Sequence, residues 1–471
     1  MKLSELISPA MRHTGMGAVM NGASFVTRLL PFPQPTLMVG AGSSARLGES
    51  IAGMGYERIL IVTDAVIVKL GLTRALTDAL EAGGVDYVVF DRITPDAPIP
   101  LIEEGLEFFK ENDCDAIVAF GGGSAMDAAK LIAIAANNPK PLRALAGYFK
   151  GRNSPVPIYA VPTTAGTGSE VTVAAVVSDP ERQKKLVVMD LRVVPRMAAL
   201  DPELMTGLPP AITAATGIDA LTHAVEAYLG KWATDYTDSM ALSAVGMIFE
   251  NLPVAYADGK NLKAREKMAL ASTYAGLAFT RANVGYVHAI AHQFGGVYHT
   301  PHGLANAIML PHVLDYSAPV VTERLAQLAL RAGLGAQDEN EEDLADRFIA
   351  GVRDLNRRLG IPTTLDALRE EDIPALAQAA CEEALLGYPV PRYMDQATCE
   401  AVIRKVLPEP KAEAAGAAAP KRKAAPRKTA PRKTAPRKTP PRKAAAKAVT
   451  RTAPKAAAKP RPRARKAPTA A

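Results

Sequence analysis

AIVAFGGGSAMDAAK, residues 116–130, passes from an unbroken apolar run through three glycines into a stretch with helical spacing. A strand that is apolar on both of its alternating faces belongs to a sheet covered on both sides, as in parallel α/β folds. Gly121, Gly122 and Gly123 allow positive φ and a close approach of backbone to ligand. Ser124 and the helix start behind it then offer N–H groups and the positive end of a helix dipole, a setting suited to a diphosphate. The pattern is not GxGxxG, and glycine turns after strands are common, so an ordinary turn stays open on this stretch alone.

Outward from it, RILIVTDA (58–65), YVVFD (87–91) and PIYAVPT (157–163) are further short Val- and Ile-rich runs. They alternate with helical stretches near 66–82, 100–111 and 124–136. The alternation predicts a Rossmann-like α/β domain over 33–204 with a mainly parallel sheet. VTVAAVVSDP (171–180) and LVVMDLRVVP (186–195) read as additional strands, partly antiparallel. Helical periodicity takes over beyond this point and predicts an all-helical second domain over 205–408. Residues 1–32 form an extension ending in the breaker run PFPQP. Residues 409–471 contain APRKT three times in succession; proline at this spacing forbids a continuous helix, and a disordered cationic tail is expected.

Two further signals sit at strand ends. VPTTAGTGSE (161–170) is rich in hydroxyls and glycine, and Thr163 and Thr164 are suited to hydrogen-bonding a ribose or nicotinamide; a plain tight turn fits as well. Asp64 closes RILIVTD. A carboxylate there accepts from ribose hydroxyls and repels a 2′-phosphate, favouring NAD over NADP, while a capping aspartate is the alternative.

The helical half carries the strongest chemistry. In GIDALTHAVEAY (217–228), Asp219 and His223 are four apart and share a helix face. In VHAIAHQFGGVYHTPHGLANAIMLPH (287–312), His288 and His292 repeat that spacing and His302 follows in a PHG turn. Of seven histidines, five lie within these 25 or so residues, a concentration that ordinary burial does not produce. Asp219, His223, His288 and His302 are expected to converge on a divalent cation that keeps an open position. His299 and His312 fit supporting or solvated roles.

Charge divides the chain. Residues 420–471 hold 19 Lys and Arg and no Asp or Glu, leaving 36 basic against 48 acidic residues in 1–419, a net charge of −12. The overall +7 therefore belongs to the tail, and a basic isoelectric point does not mark the body as a nucleic-acid-binding fold. Three cysteines without CxxC spacing fit a reducing compartment. No run is expected to reach the roughly 18 apolar residues of a membrane span, and a cytoplasmic location is expected.

Together GGGSAMDAAK, PTTAGTGSE, DALTHAVEAY, HAIAHQFGG and PHGLANAIMLP resemble the iron-containing (group III) alcohol dehydrogenases, in that family's order and from about Pro31 to Pro408. The resemblance implies a dehydroquinate synthase-like fold, a dinucleotide-binding α/β domain followed by an all-helical metal-binding domain. It implies Fe²⁺ on Asp219, His223, His288 and His302, with Zn²⁺ suited to the same ligands. Gly122, Gly123, Ser124 and Asp127 fall on the diphosphate turn, Thr163 and Thr164 on the loop around the nicotinamide ribose, and Lys185 on a cofactor-contacting lysine. His292 falls on the histidine implicated in proton handling. The implied activity is NAD-linked interconversion of a primary alcohol and an aldehyde, in a homodimer or larger assembly. Glycerol or diol oxidation, or dehydroquinate synthase chemistry, on the same fold is the alternative.

Three features depart from the family. Asp96 in TPDAP stands where Asn is frequent, Val390-Pro391-Arg392 replaces Asn-Pro-Arg, and both terminal extensions are unusual. The tail resembles linker-histone-like Lys/Ala/Pro-rich tails, which implies sequence-independent association with DNA or RNA.

Overall fold

Six parallel strands make the main sheet of the computed structural model, which describes residues 30–409 apart from Gln183. The expectations for the N-terminal extension up to residue 29 and for the basic tail lie outside the described residues. The strands are β1 (Thr36–Val39), β2 (Arg58–Val62), β3 (Asp86–Phe90), β4 (Ala116–Gly121), β6 (Ile158–Pro162) and β9 (Met197–Leu200), in the order β1-β9-β6-β4-β2-β3. Every residue of β4 and β6 is buried, as their uninterrupted apolar sequences demand of central strands. A smaller sheet pairs β7 (Ala174–Asp179) antiparallel to β8 (Lys184–Met189), with the two-residue β5 (Gly147–Tyr148) parallel on its edge. The expected strand 186–195 thus stops at Met189, where Asp190 caps a short 3-10 turn by accepting from the Arg192 N–H.

Helices cover both faces of the large sheet. Alternation along β2 sends Ile59 and Ile61 to one side, with Leu47 and Ile51 of α1 (Ser43–Ala52) and Leu76 and Leu80 of a later helix. Leu60 and Val62 go to the other side with Ile102 and Ile132. The helix expected over 66–82 is two pieces, α2 (Ala65–Lys69) and α3 (Arg74–Ala82), separated at Gly71, which takes φ +68°. On the opposite face lie α4 (Ile99–Glu111) and α5 (Gly123–Ala136). β1 and β9 escaped the sequence reading because both are four-residue strands, and β1 pairs with β9 from the far end of the domain, not with a chain neighbour.

The helical half comprises α6 (Pro210–Leu229), α7 (Asp235–Ala257), α8 (Leu262–Ala282), α9 (Tyr286–Tyr298), α10 (His302–Ser317), α11 (Thr322–Arg331), α12 (Glu341–Arg358), α13 (Ile373–Gly387) and α14 (Gln396–Arg404). One expectation fails here: α7 is long and apolar enough, by length and composition, to cross a membrane. Its Ala241, Ala244, Val245, Ile248 and Leu252 are buried in the same core as α6 and α8.

The chain order positions the site. From β2 it steps outward to β3, then returns past β2 to β4, so successive connections leave β2 and β4 in opposite directions. Carboxyl ends flanking such a reversal form the binding crevice of open α/β sheets. Asp64 follows β2 and Gly122 follows β4, at this reversal.

Lys130 locks the turn to the neighbouring loop. It is 1 % exposed, and its ammonium donates to Ser169 Oγ, Thr172 Oγ1 and the carbonyls of Thr172 and Ala174 at 2.9–3.0 Å. Removing one member of a buried charged network costs roughly 3–5 kcal/mol. Lys130→Met is therefore expected to lower unfolding free energy by about 3 kcal/mol in urea titration; a loss below about 1 kcal/mol would contradict the assigned role.

Candidate metal and dinucleotide site

α6 carries Asp219, His223 and Glu226 at spacings of four and three, hence along one face, and all three are buried. α9 brings His288 against them, and α10 begins with His302 immediately after Pro301. One ligand atom each from Asp219, His223, His288 and His302 lies within 4.8 Å of the other three. That is the scale of one cation's coordination sphere, whose bonds run to about 2.1 Å. The four residues expected from the sequence converge.

Helix approach is permitted by Gly303. A Cβ there would lie 2.4 Å from the Ala215 carbonyl oxygen and 3.2 Å from Asp219 Cβ. The start of α10 can thus press directly onto α6, bringing His302 Nε2 to 3.5 Å from Asp219 Oδ1.

Glu226, overlooked in the sequence, organises the centre. Its carboxylate accepts from the Gly285 N–H at 2.8 Å and the Val287 N–H at 2.7 Å, capping the start of α9. It also lies 2.6 Å from His288 Nδ1. A carboxylate at that nitrogen favours the proton on Nδ1 and leaves the Nε2 lone pair for a cation. Burial pushes the Glu226 carboxyl up, to about 7, against the opposing effect of these backbone donors. The sequence did hold a signal: Glu226 continues the Asp219–His223 face one turn on.

The donor set fits a divalent cation. Burial lowers the pKa of His223 and drives that of His288 well below its ordinary value, keeping both imidazoles neutral and able to ligate. Asp219 is 2 % exposed, and among the described residues its ion-pair partner is His302, with no Lys or Arg paired to it. A buried carboxylate so placed is stabilised by a cation. Asn306, fully buried one turn beyond His302, puts Nδ2 at 2.7 Å from Asp219 Oδ1 and 3.2 Å from the Nε2 atoms of His288 and His302. His223 stacks on Phe279 at 4.2 Å and on His288 at 4.6 Å. His302, with 40 % of its side chain exposed, marks the open side.

His292 stays outside the cluster of four but beside it, its ring stacked on that of His302 at 5.3 Å. Its Nδ1 lies 2.6 Å from Glu383 Oε1. His299 ends α9 in a left-handed conformation, and His312 lies further along α10.

At the sheet end, Gly122 begins α5 with no side-chain cap. A Cβ on Gly123 would meet Thr167 Cγ2 at 2.8 Å, so the glycine turn and the threonine loop pack without side chains between them. Thr163 is buried, and its N–H donates to the Gly121 carbonyl; Thr164 Oγ1 lies near Gly122. Ser124 Oγ accepts from the Asp96 N–H at 3.1 Å, and the Asp96 carboxylate pairs with Lys185. Asp96 and Lys185 therefore close over the turn together. Asp127 accepts from Ser169 Oγ at 3.1 Å, and burial pushes its carboxyl up, to about 6. Asp64 caps α2: the Val66 and Ile67 N–H groups both donate to Oδ1.

Family comparisons agree with this architecture. Residues 34–202 match the model for iron-containing alcohol dehydrogenase, and residues 213–407 match that for the C-terminal part of the Fe-containing alcohol dehydrogenase family. The chain is 39 % identical over 356 residues to lactaldehyde reductase of Escherichia coli (strain K12), covering 75 % of this chain and 93 % of the relative. It is also 39 % identical over 354 residues to the NAD-dependent methanol dehydrogenase of Bacillus methanolicus, with coverage of 75 % and 93 %. A crystal structure of 1,3-propanediol oxidoreductase superposes with a TM-score of 0.78 at 39 % identity, over 80 % of this chain and all of that one. The chain belongs to the iron-containing alcohol dehydrogenase family and is an alcohol oxidoreductase.

Because Glu226 orients His288, Glu226→Gln is expected to weaken metal affinity about 10- to 100-fold while leaving helical circular dichroism unchanged. Competition with a calibrated chelator measures this; an unaltered affinity would remove Glu226 from the site.

Proposed function

We propose that this chain interconverts a primary alcohol and its aldehyde with NAD, using a divalent cation, Fe²⁺ in the native enzyme, held by Asp219, His223, His288 and His302. The convergence of those four ligand atoms in the helical half carries the proposal. Three neutral nitrogens and one carboxylate oxygen also suit Zn²⁺, which binds such sets more tightly at equal supply. When bound, the cation supplies Lewis acidity that acidifies an alcohol hydroxyl or polarises a carbonyl.

The remaining roles belong to the chain's own residues. Gly122, Gly123 and Ser124 offer the diphosphate a helix N-terminus without a side-chain cap. Thr163 and Thr164 stand beside that turn on the nicotinamide side, and Lys185, paired with Asp96, lies at the rim as a counter-charge to phosphate. Asp127 acts through Ser169, fixing the threonine-loop side of the crevice. Asp64 keeps Oδ2 outside its capping bonds, which suits a ribose hydroxyl and disfavours a 2′-phosphate. His292, stacked on the exposed ligand, takes the hydroxyl proton toward solvent. The named activities of the relatives, on lactaldehyde, methanol and propanediol, support short alcohols and diols as the first candidate substrates to try.

His302→Ala is expected to lose bound metal and NAD-linked turnover of short alcohols together, as measured by metal analysis and NADH absorbance. A metal-free variant with full activity would refute the assignment.

A second property rests on the charge division. The tail's 19 basic residues, set against a body of net charge −12, favour sequence-independent binding to nucleic-acid phosphates. Deleting 420–471 is expected to abolish DNA retention at low salt and leave kcat unchanged; retention by the truncated protein would overturn this division.

A further inference from the structure

Glu383 sits where α13 meets α9, and its two oxygens serve three donors. Oε1 lies 2.6 Å from His292 Nδ1 and accepts from the Tyr388 hydroxyl at 2.5 Å. Oε2 accepts from Gln293 Nε2 at 2.9 Å. Gln293 follows His292 on α9, and Tyr388 closes α13, so both helices contribute to holding one carboxylate in place. Glu383 and His292 are equally half-buried, each with 30 % of its side chain exposed. Burial raises the Glu383 pKa, but the hydrogen bonds from His292, Tyr388 and Gln293 outweigh it and leave the group lowered, hence ionised and able only to accept.

We propose that Glu383 is the positioning residue for His292. It keeps the His292 proton on Nδ1 and leaves Nε2, on the opposite edge of the ring, as the atom that accepts a proton. His302 stacks on one face of the ring, and the Nδ1 edge is held by the carboxylate, which is itself braced by Tyr388 and Gln293. A carboxylate that fixes the tautomer and orientation of a working imidazole is a recurring arrangement in acid–base catalysis. Nothing in the metal cluster needs Glu383: among the described residues its hydrogen-bond partners are His292, Gln293 and Tyr388, none of them one of the four cluster residues. The His292 side of this inference rests on the proton-handling role given above.

Two measurements test it, one independent of turnover. Long-range ¹H–¹⁵N NMR of the zinc-loaded, histidine-labelled protein is expected to show His292 as the Nδ1–H tautomer, shifting toward Nε2–H in Glu383→Ala. An Nε2–H tautomer in the parent protein, or one unchanged by the substitution, overturns the proposal whether or not the protein oxidises alcohols. In kinetics, Glu383→Ala is expected to lower kcat roughly 10-fold or more, with metal content and the KM for NAD little changed. In a His292→Ala background the same substitution is expected to have no further effect, the non-additivity of two residues acting as a unit. Multiplicative losses, or loss of metal from Glu383→Ala, would show a separate structural role and contradict the positioning assignment. Absence of NAD-linked turnover in the parent protein would count against the dehydrogenase reading, while the tautomer result would still decide the role of Glu383.

Discussion

A single buried carboxylate, that of Glu226, ties the helices that carry the candidate metal ligands to one another. It accepts from the Gly285 and Val287 N–H groups and from His288, so the direction of α9 and the orientation of its ligand are set by the helix that also carries Asp219 and His223. Three of the four ligands thereby belong to one hydrogen-bonded unit. The fourth, His302, joins because Gly303 lets α10 approach α6 without a side chain between them. The same unit holds the imidazoles neutral by burial, which is the protonation state a cation requires.

The sheet contributes a complementary constraint. Reversal of strand order between β2 and β4 opens a crevice where Asp64 and the glycine turn meet. Lys130 and Asp127, on the helix behind that turn, hydrogen-bond to Ser169 of the threonine loop, tying together the two segments suited to a dinucleotide. Alignment of reactants is where a pre-organised site contributes most. The hydrogen-bonded pair His292 and Glu383, to which a protonic role is proposed above, lies beside the exposed His302, on the open side of the cluster.

Much of this was legible in the sequence. Four-residue spacing of Asp219 and His223, the crowding of histidines in 288–312, and apolar strands ending in glycine are local signals, and each led to residues that the fold assembles. What escaped depended on distant partners. Glu226 looks like one more polar residue until α9 is seen to begin on it, and Glu383 lies 91 residues from His292 in the chain. β1 and β9 are too short for periodicity to show. The apolar length of α7 is masked in the sequence because Ser239, Ser243, Glu250 and Asn251 interrupt its apolar residues, although their average remains apolar.

All functional assignments depend on one cation held by one carboxylate oxygen and three imidazole nitrogens contributed by α6, α9 and the start of α10. X-ray absorption at the metal edge of the iron-loaded protein, with each ligand replaced in turn, measures this directly. The account predicts a first shell of nitrogen and oxygen at about 2.1 Å that loses one histidine contribution in each of His223→Ala, His288→Ala and His302→Ala when metal is retained. A shell containing sulfur, or one unaltered by these substitutions, would contradict it.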